Sequence, residues 1–316
     1  MSTTTASSTT AVDPAYRPLV LRVARRERLS PSFLRLTLTG DDLATFGAGG
    51  WDQRVKLVPP RAGVSWHGTG PGWYEWWLSL PDAQRPPMRT YTVRACRPQL
   101  REIDVDFVLH GVDGHDAGPA GPAASWAATA APGDEITVIG PSAPGSGRMW
   151  GVEFAPPPTA RTLLMAGDET AVPAVCSVLE ALPAGVRVAA LLEVPTAADV
   201  LAPVTAADAE VVWLPREGAA HGELLCAAVR ERTAALVQAP AAAGPVALED
   251  VDVDAQILWE VPEAAATCGP EDLYAWLAGE AAVVKELRRH LVRDLGVPRQ
   301  CVAFMGYWRR GRSEGA

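Results

Sequence analysis

The chain has 316 residues, 48% hydrophobic and 21% charged, an ordinary globular balance on a length that exceeds one usual core, so two domains are expected. Its formal net charge of −9 argues against a nucleic-acid-binding surface, which needs clustered Lys and Arg to neutralise phosphate. The five cysteines, Cys96, Cys176, Cys226, Cys268 and Cys301, are odd in number, widely spaced and form no CxxC, which indicates neither a disulfide framework nor a zinc site and fits a reducing cytosol.

The opening "MSTTTASSTTAVDP" lacks the apolar core of a secretory signal, so residues 1–15 read as a disordered tail; no apolar run reaches membrane-spanning length, and no membrane insertion is expected. From Leu19 to Gly140, "LVLRVARRERL", "SFLRLTLTG", "QRVKLVPP", "RTYTVRA", "IDVDFVLHG" and "DEITVIGP" are short alternating runs divided by Gly, Pro and Asp signals. They predict a small antiparallel barrel. The stretch Trp66 to Arg85, rich in Trp, Gly and Pro, reads as a loop or extended hairpin.

After the Pro-rich spacer Ala155 to Thr159 the period changes. "RTLLMAG", "VRVAALLEV" and "AEVVWLP" read as buried parallel strands, "AVPAVCSVLEAL" and "GELLCAAVRERTAALV" as helices, and "QAPAAAGPVALEDVDVD" as a loop. "DLYAWLAG" is strand-like, and a helix from Glu280 to Leu295 follows, with Gly296 as its stop. Strand alternating with helix predicts a doubly wound parallel sheet. The expected division is residues 16–152 for the barrel and 160–316 for the α/β domain.

Two stretches carry chemistry in their own right. In "MRTYTVR" the alternation of a strand puts Arg89 and Tyr91 on one side and Thr90 and Thr92 on the other, a cation beside an aromatic face, which suits a ligand flat at one end and anionic at the other. The heptapeptide by itself fits a surface strand, with an exposed Arg and a half-buried Tyr, better than a ligand site. In "LLMAGDETAVPA" a strand, a Gly turn and a helix start meet, a geometry that receives nucleotide phosphate, although it is no GxGxxG and capping by Asp168 or Thr170 is a sufficient structural account.

"MRTYTVR", "IDVDFVLHG", "GPAASWA", "PGDEITVIGP", "LLMAGDETAVPAVCSVLEALP", "YAWLAGEAAVVKELRRHL" and "GYWRRG", in this order from about Arg17 to Gly311, closely resemble the siderophore-interacting protein family of FAD-dependent ferric-siderophore reductases, built on the ferredoxin-reductase plan. The resemblance implies a FAD-binding β-barrel followed by an NAD(P)H-binding α/β domain. It implies that Arg89 neutralises FAD phosphate, that Tyr91 lies against the isoalloxazine ring and that Thr92 bonds near its reactive edge, with Tyr91 and Thr92 as the catalytic pair and Thr90 beside them. Asp106, Val108 and His110 would face the FAD, a structural histidine being an equal alternative for His110. Ala124, Ser125 and Trp126 would border the pyrophosphate and ring; relatives often carry serine where Ala124 stands.

On the nicotinamide side the resemblance points to Gly167, Asp168, Glu169 and Thr170, and to Gly279 and Glu280. Glu193 stands where an acid can meet a ribose hydroxyl, which favours NADH, whereas Arg216 can attract a ribose phosphate, so NADPH stays open. Lys56, Arg309 and Arg310 would attract an anionic ferric siderophore, with solvated charge as the plain alternative; Ser142 replaces an arginine frequent in relatives. No metal site is expected. The implied activity is transfer of electrons from NAD(P)H through FAD to Fe(III) in a siderophore, by a cytoplasmic monomer that binds no nucleic acid. The alternatives are a general flavin or ferredoxin-type reductase of the same fold, or a non-catalytic siderophore-binding protein.

Overall fold

A computed structural model describes residues 16–111, 120–143, 145–234, 259–261 and 273–311. The expected tail 1–15, the expected loop from Gln238 to Asp254, and Cys268 lie outside the described residues.

The first half is a seven-stranded antiparallel sheet curled into a half-barrel. Its strands are β1 (Arg17–Arg28), β2 (Phe33–Thr39), β3 (Arg54–Val58), β4 (Arg89–Thr92), β5 (Ala95–Arg97), β6 (Glu102–Val108) and β7 (Glu135–Gly140), in the order β4-β3-β7-β1-β2-β6-β5. Alternation decides which side chains fill it. Leu19, Leu21 and Val23 of β1, Leu34, Leu36 and Leu38 of β2, and Ile103, Val105 and Phe107 of β6 stand two residues apart and share one buried cluster. Edge strand β4 lies against β6 through Tyr91 and Phe107 at 4.7 Å, and Arg94, between β4 and β5, donates its N–H to the Asp104 carbonyl of β6 at 2.8 Å.

Two short helices complete this half. The stretch expected as a loop or hairpin contains α1 (Trp73–Ser79), in which Trp73 and Trp76 pack with Trp66 on Val58 and Ile139. A seven-residue helix is too short to stand alone, so tertiary packing holds it and periodicity does not reveal it. The second, α2 (Pro122–Thr129), sets Ala123 and Ala127 into the barrel core.

The second half is a six-stranded sheet, with β8 (Thr162–Gly167), β9 (Arg187–Val194), β10 (Asp208–Pro215), β11 (Trp259–Glu260), β12 (Leu273–Glu280) and β13 (Val302–Trp308) in the order β10-β9-β8-β12-β13-β11. All neighbours are parallel except β11 with β13. Helix α3 (Val172–Ala181) covers one face, while α4 (Glu223–Ala234) and α5 (Ala281–Arg289) cover the other. The helix expected to Leu295 is α5 followed by a π turn over His290–Asp294, with Gly296 left-handed (φ +70°) after it. The "GYW" of "GYWRRG" finishes strand β13 inside the sheet, and Arg309 and Arg310 follow it.

The chain runs outward from β8 to β9 and β10, then returns to β12 on the other side of β8, so the strand order reverses between β8 and β12. In such sheets the crevice at the carboxyl ends of the two strands is where ligands bind. The halves meet through Phe33 and Val108, which join the α3-side core, and through three carboxylates. Asp199 accepts from Ser30 Oγ (2.7 Å), Ser32 N (2.7 Å) and Ser32 Oγ (3.0 Å). Asp52 accepts from the Glu153 and Phe154 amides (3.0 and 2.9 Å) and lies 3.3 Å from Trp276 Nε1. Glu180 of α3 takes both arms of Arg94, one at 2.7 Å. Cys96, Cys176 and Cys226 are free thiols; Cys301 is disulfide-bonded, a bridge the cysteine spacing does not indicate.

Candidate active site

On the barrel, β4 is an edge strand paired with β3, with Val55 opposite Tyr91 and Leu57 opposite Arg89. Val55 and Leu57 face the barrel core, so Arg89 and Tyr91 share the inner face, and Tyr91, Phe107 and Trp126 form a row of rings at 4.7 and 6.2 Å. Thr90 and Thr92 take the opposite face. Thr92 is buried there, and Thr90 Oγ accepts from Lys56 Nζ at 2.6 Å. Arg89 is half-buried, with one guanidinium nitrogen on the Met88 carbonyl (2.8 Å).

Helix α2 begins at Gly121, which provides no side-chain cap, and the space where a Cβ would stand at Gly121 is open. Uncapped amides of a helix start, half-buried Arg89 and the half-buried ring of Tyr91 fit a ligand with a pyrophosphate and a flat ring, as FAD has. Ala124 is buried in α2 and Ser125 is exposed, so Ser125 can supply the hydroxyl that Ala124 lacks. Asp106 is placed otherwise than expected. It is buried and paired with Arg35 at 2.7 and 2.8 Å, with Arg94 at 3.7 Å, because an internal carboxylate needs a cation more than a ligand does. Val108 likewise packs into the α3-side core.

At the carboxyl edge of the parallel sheet, the expected nucleotide residues do come together, as a bonded network. Gly167 ends β8; a Cβ there would stand 2.5 Å from the Ala171 Cβ and 2.7 Å from the Ala278 carbonyl oxygen. Asp168, 2% exposed, accepts from the Thr170 amide (2.9 Å), the Thr170 hydroxyl, the Glu280 amide (2.8 Å) and Trp308 Nε1 (2.8 Å). It therefore ties β8, β12 and β13 at the point where strand order reverses. Gly279 beside it has φ +140°. Glu280 caps α5 through the Ala282 and Val283 amides (2.7 and 3.1 Å), and its other oxygen meets the Arg310 amide at 3.2 Å. That contact sets Arg309 and Arg310 at this edge, while Lys56 stands on the barrel.

Glu193 and Arg216 differ from expectation. Glu193 is fully buried, and its oxygens accept from the Gly222 and Leu225 amides (2.7 and 3.0 Å), so it caps the start of α4. Arg216 grips Glu169 with two bonds (2.6 and 2.8 Å) and reaches Glu193 at 3.3 Å. Their mutual pairing removes the sequence argument for choosing between NADH and NADPH. Burial pushes Glu169 upward, yet Arg216, His221 and His110 hold its carboxyl well below the usual range. Burial, then the charge of Glu169, raises Asp168.

His110, just beyond β6, lies 3.8 Å from Glu169 Oε1 and 6.3 Å from the Trp308 ring, and so joins the barrel to this edge. Sequence reasoning missed His221, Trp308, Asp52 and Asp199. Of these only Trp308 carried a signal, the continuous apolar run "CVAFMGYW" of a buried parallel strand. A cleft lined by Trp51, Phe154, Pro157, Leu163 and Val186 lies at the opposite, amino-terminal end of β8 and β9. Its lining side chains are apolar, and it lies at the other end of the strands from these groups.

Comparison with known proteins agrees with this architecture. The siderophore-interacting FAD-binding domain profile matches residues 22–145, and the siderophore-interacting protein profile matches residues 160–311. The NADPH-dependent ferric-chelate reductase of Escherichia coli is 31% identical over 91% of each chain, and the ferric vibriobactin reductase ViuB of Vibrio cholerae is 29% identical over 95% of this chain and 92% of its own. The crystal structure of the siderophore-interacting protein SipS from Aeromonas hydrophila superposes with a TM-score of 0.62 at 31% identity, covering 95% of both chains. With the two profiles in order on the two sheets and such relatives matched nearly end to end, the chain belongs to the siderophore-interacting protein family.

Proposed function

We propose that the protein is an NAD(P)H-dependent ferric-siderophore reductase, with residues 16–152 as its FAD-binding barrel domain and residues 160–316 as its nicotinamide-binding domain, working in the cytoplasm. The reading is carried by one observation. His110, just beyond β6 of the barrel, and Glu169 of the sheet edge approach to 3.8 Å, which supports a shared site where the barrel meets the topological switch point.

When bound, FAD supplies the exchange between a two-electron hydride donor and two one-electron ferric acceptors. The chain's own residues bind and orient. Arg89 and the α2 amides would hold the phosphates, Tyr91 and Trp126 would provide ring contacts, and Thr92, buried on the other face of the strand, would steady that strand. The Gly167–Thr170 turn, held by Asp168, would receive the nucleotide, and Lys56, Arg309 and Arg310 would draw an anionic ferric chelate toward the site. Names of relatives that reduce ferric vibriobactin and ferric chelates support the substrate class.

The test separates the half-reactions. Purified protein should be yellow and be bleached anaerobically by NAD(P)H. Arg89→Ala should lower FAD affinity roughly ten- to hundredfold, the cost of about 1.5–3 kcal/mol for a charged hydrogen bond. Lys56→Ala should slow oxidation of prereduced flavin by anionic ferric chelates, and salt should mimic it, while flavin reduction is unchanged. A colourless protein that binds no added FAD overturns the proposal. Bleaching without any ferric-chelate reduction would leave a general flavin reductase.

A further inference from the structure

Outside the roles assigned above, the most unusual group in the molecule is His221. Its side chain is 10% exposed, and neither ring nitrogen has a hydrogen-bond partner among the described residues. The ring is nevertheless surrounded by acid. Nε2 lies 3.7 Å from Asp168 Oδ2 and 3.6 Å from Glu169 Oε2, and Nδ1 lies 4.0 Å from Glu193 Oε1. These three carboxylates come from the turn after β8 and the end of β9, and each is 2% exposed or less.

Two other basic groups face them. Arg216, after β10, is bonded to Glu169 and Glu193. His110, from the barrel, is 3.8 Å from Glu169 and 37% exposed in its side chain. From β12, Glu280 is engaged with the start of α5. From β13, Trp308 donates its indole N–H to Asp168 and meets the His221 ring edge-on at 5.0 Å and 88°. Three buried carboxylates face one guanidinium, His110 reaches only Glu169, and a cation at His221 lies within 4 Å of all three. With a neutral ring the three acids would share only the Arg216 guanidinium, His110 and their hydrogen-bond donors.

We propose that His221 is held as an imidazolium and is a positioning residue for the nicotinamide half-reaction. It fixes the Gly167–Thr170 turn and the Trp308 ring, and offsets acidic charge that would otherwise repel the nucleotide phosphates. This rests on the functional reading above. Burial favours the neutral ring, but Glu169 and Asp168 outweigh it and raise the proton affinity of His221. The charge is therefore present below the raised value and is lost as pH climbs through it. Asp168 is also raised, by burial and by Glu169, so the alkaline limb is assigned to His221 by its loss in His221→Gln and not by position alone.

The experiment is an imidazole NMR titration of the FAD-loaded protein, with His221 assigned by comparison with His221→Gln, beside the pH dependence of the NAD(P)H KM. His221 should titrate above the ordinary 6.5. Above that point KM should rise by up to about tenfold per pH unit. His221→Gln should raise KM at neutral pH and abolish the alkaline limb, with FAD content and the oxidation of prereduced flavin by ferric citrate at parental values. Titration at or below 6.5, or a parental pH profile in the variant, overturns the proposal. If the variant does not fold, the His221 ring is assigned in the parent through its contact with the Trp308 ring, and its titration and the parent pH profile decide between the same two outcomes. Failure of NAD(P)H to reduce the flavin at all refutes the functional reading and the positioning role with it, whereas the titration still measures the charge of His221.

Discussion

Gly279 illustrates how much of this site is decided atom by atom. Its φ of +140° is a conformation that side chains rarely adopt, and a Cβ would stand 2.6 Å from Asp168 Oδ2. Gly279→Ala should therefore displace the Asp168 carboxylate from the Glu280 amide and the Trp308 indole. Overpacking of this kind costs about 1–3 kcal/mol, with backbone strain adding about 1 kcal/mol or more. Thermal unfolding should show a lower Tm, and indole fluorescence should report a changed Trp308 environment; an unchanged Tm would contradict the tight approach. The glycine was visible in "LAGE", but its purpose was not, because the carboxylate that excludes a side chain lies far back along the sequence.

At the scale of elements, helix starts in this fold are served by strand ends. Glu193, at the end of β9, caps α4 across the sheet edge, and Glu280, at the end of β12, caps its own successor α5. The second is local and was legible in "GEAAVV"; the first is not, and the position of Glu193 after a strand suggested a ribose contact. Glu193→Gln keeps the shape and removes the charge. We expect about 1–3 kcal/mol of destabilisation in chemical denaturation, since the cap and the Arg216 contact are both weakened. The variant should leave the preference between NADH and NADPH as it is. A large shift in that preference with unchanged stability would restore the ribose assignment.

For the whole molecule, the decisive feature is that the halves are joined by buried carboxylates as well as by apolar packing. Asp199 binds the turn between β1 and β2 through Ser30 and Ser32, while Thr196 holds it from its own side. Burial works against its charge, but the bonds from Ser30, Thr196 and Ser32 prevail and lower its pKa below the ordinary 3.8. Its contribution is fully present above that ordinary value and is lost as pH falls through the lowered one. Asp199→Ala leaves buried serine groups unpaired at the interface, at a cost of about 1–3 kcal/mol. Small-angle scattering and limited proteolysis should show looser halves, and flavin reduction by NAD(P)H should slow with FAD retained. Parental scattering and rate would mean that apolar packing around Phe33 and Val108 suffices.

Local pattern by itself determined the two sheets, since alternation and buried runs are recorded within each strand, and Leu19, Leu21 and Val23 need no distant information to choose a face. The ordered motifs determined the family. Tertiary structure alone decided α1, held by the packing of Trp66, Trp73 and Trp76, and the network of Asp168, Glu169, Glu193, Arg216 and His221. The physical reason is that a charge's role depends on which opposite charge lies within a few ångströms. Crossover connections bring those partners together from β8, β9 and the segments after β10, and short-range periodicity holds no record of that meeting.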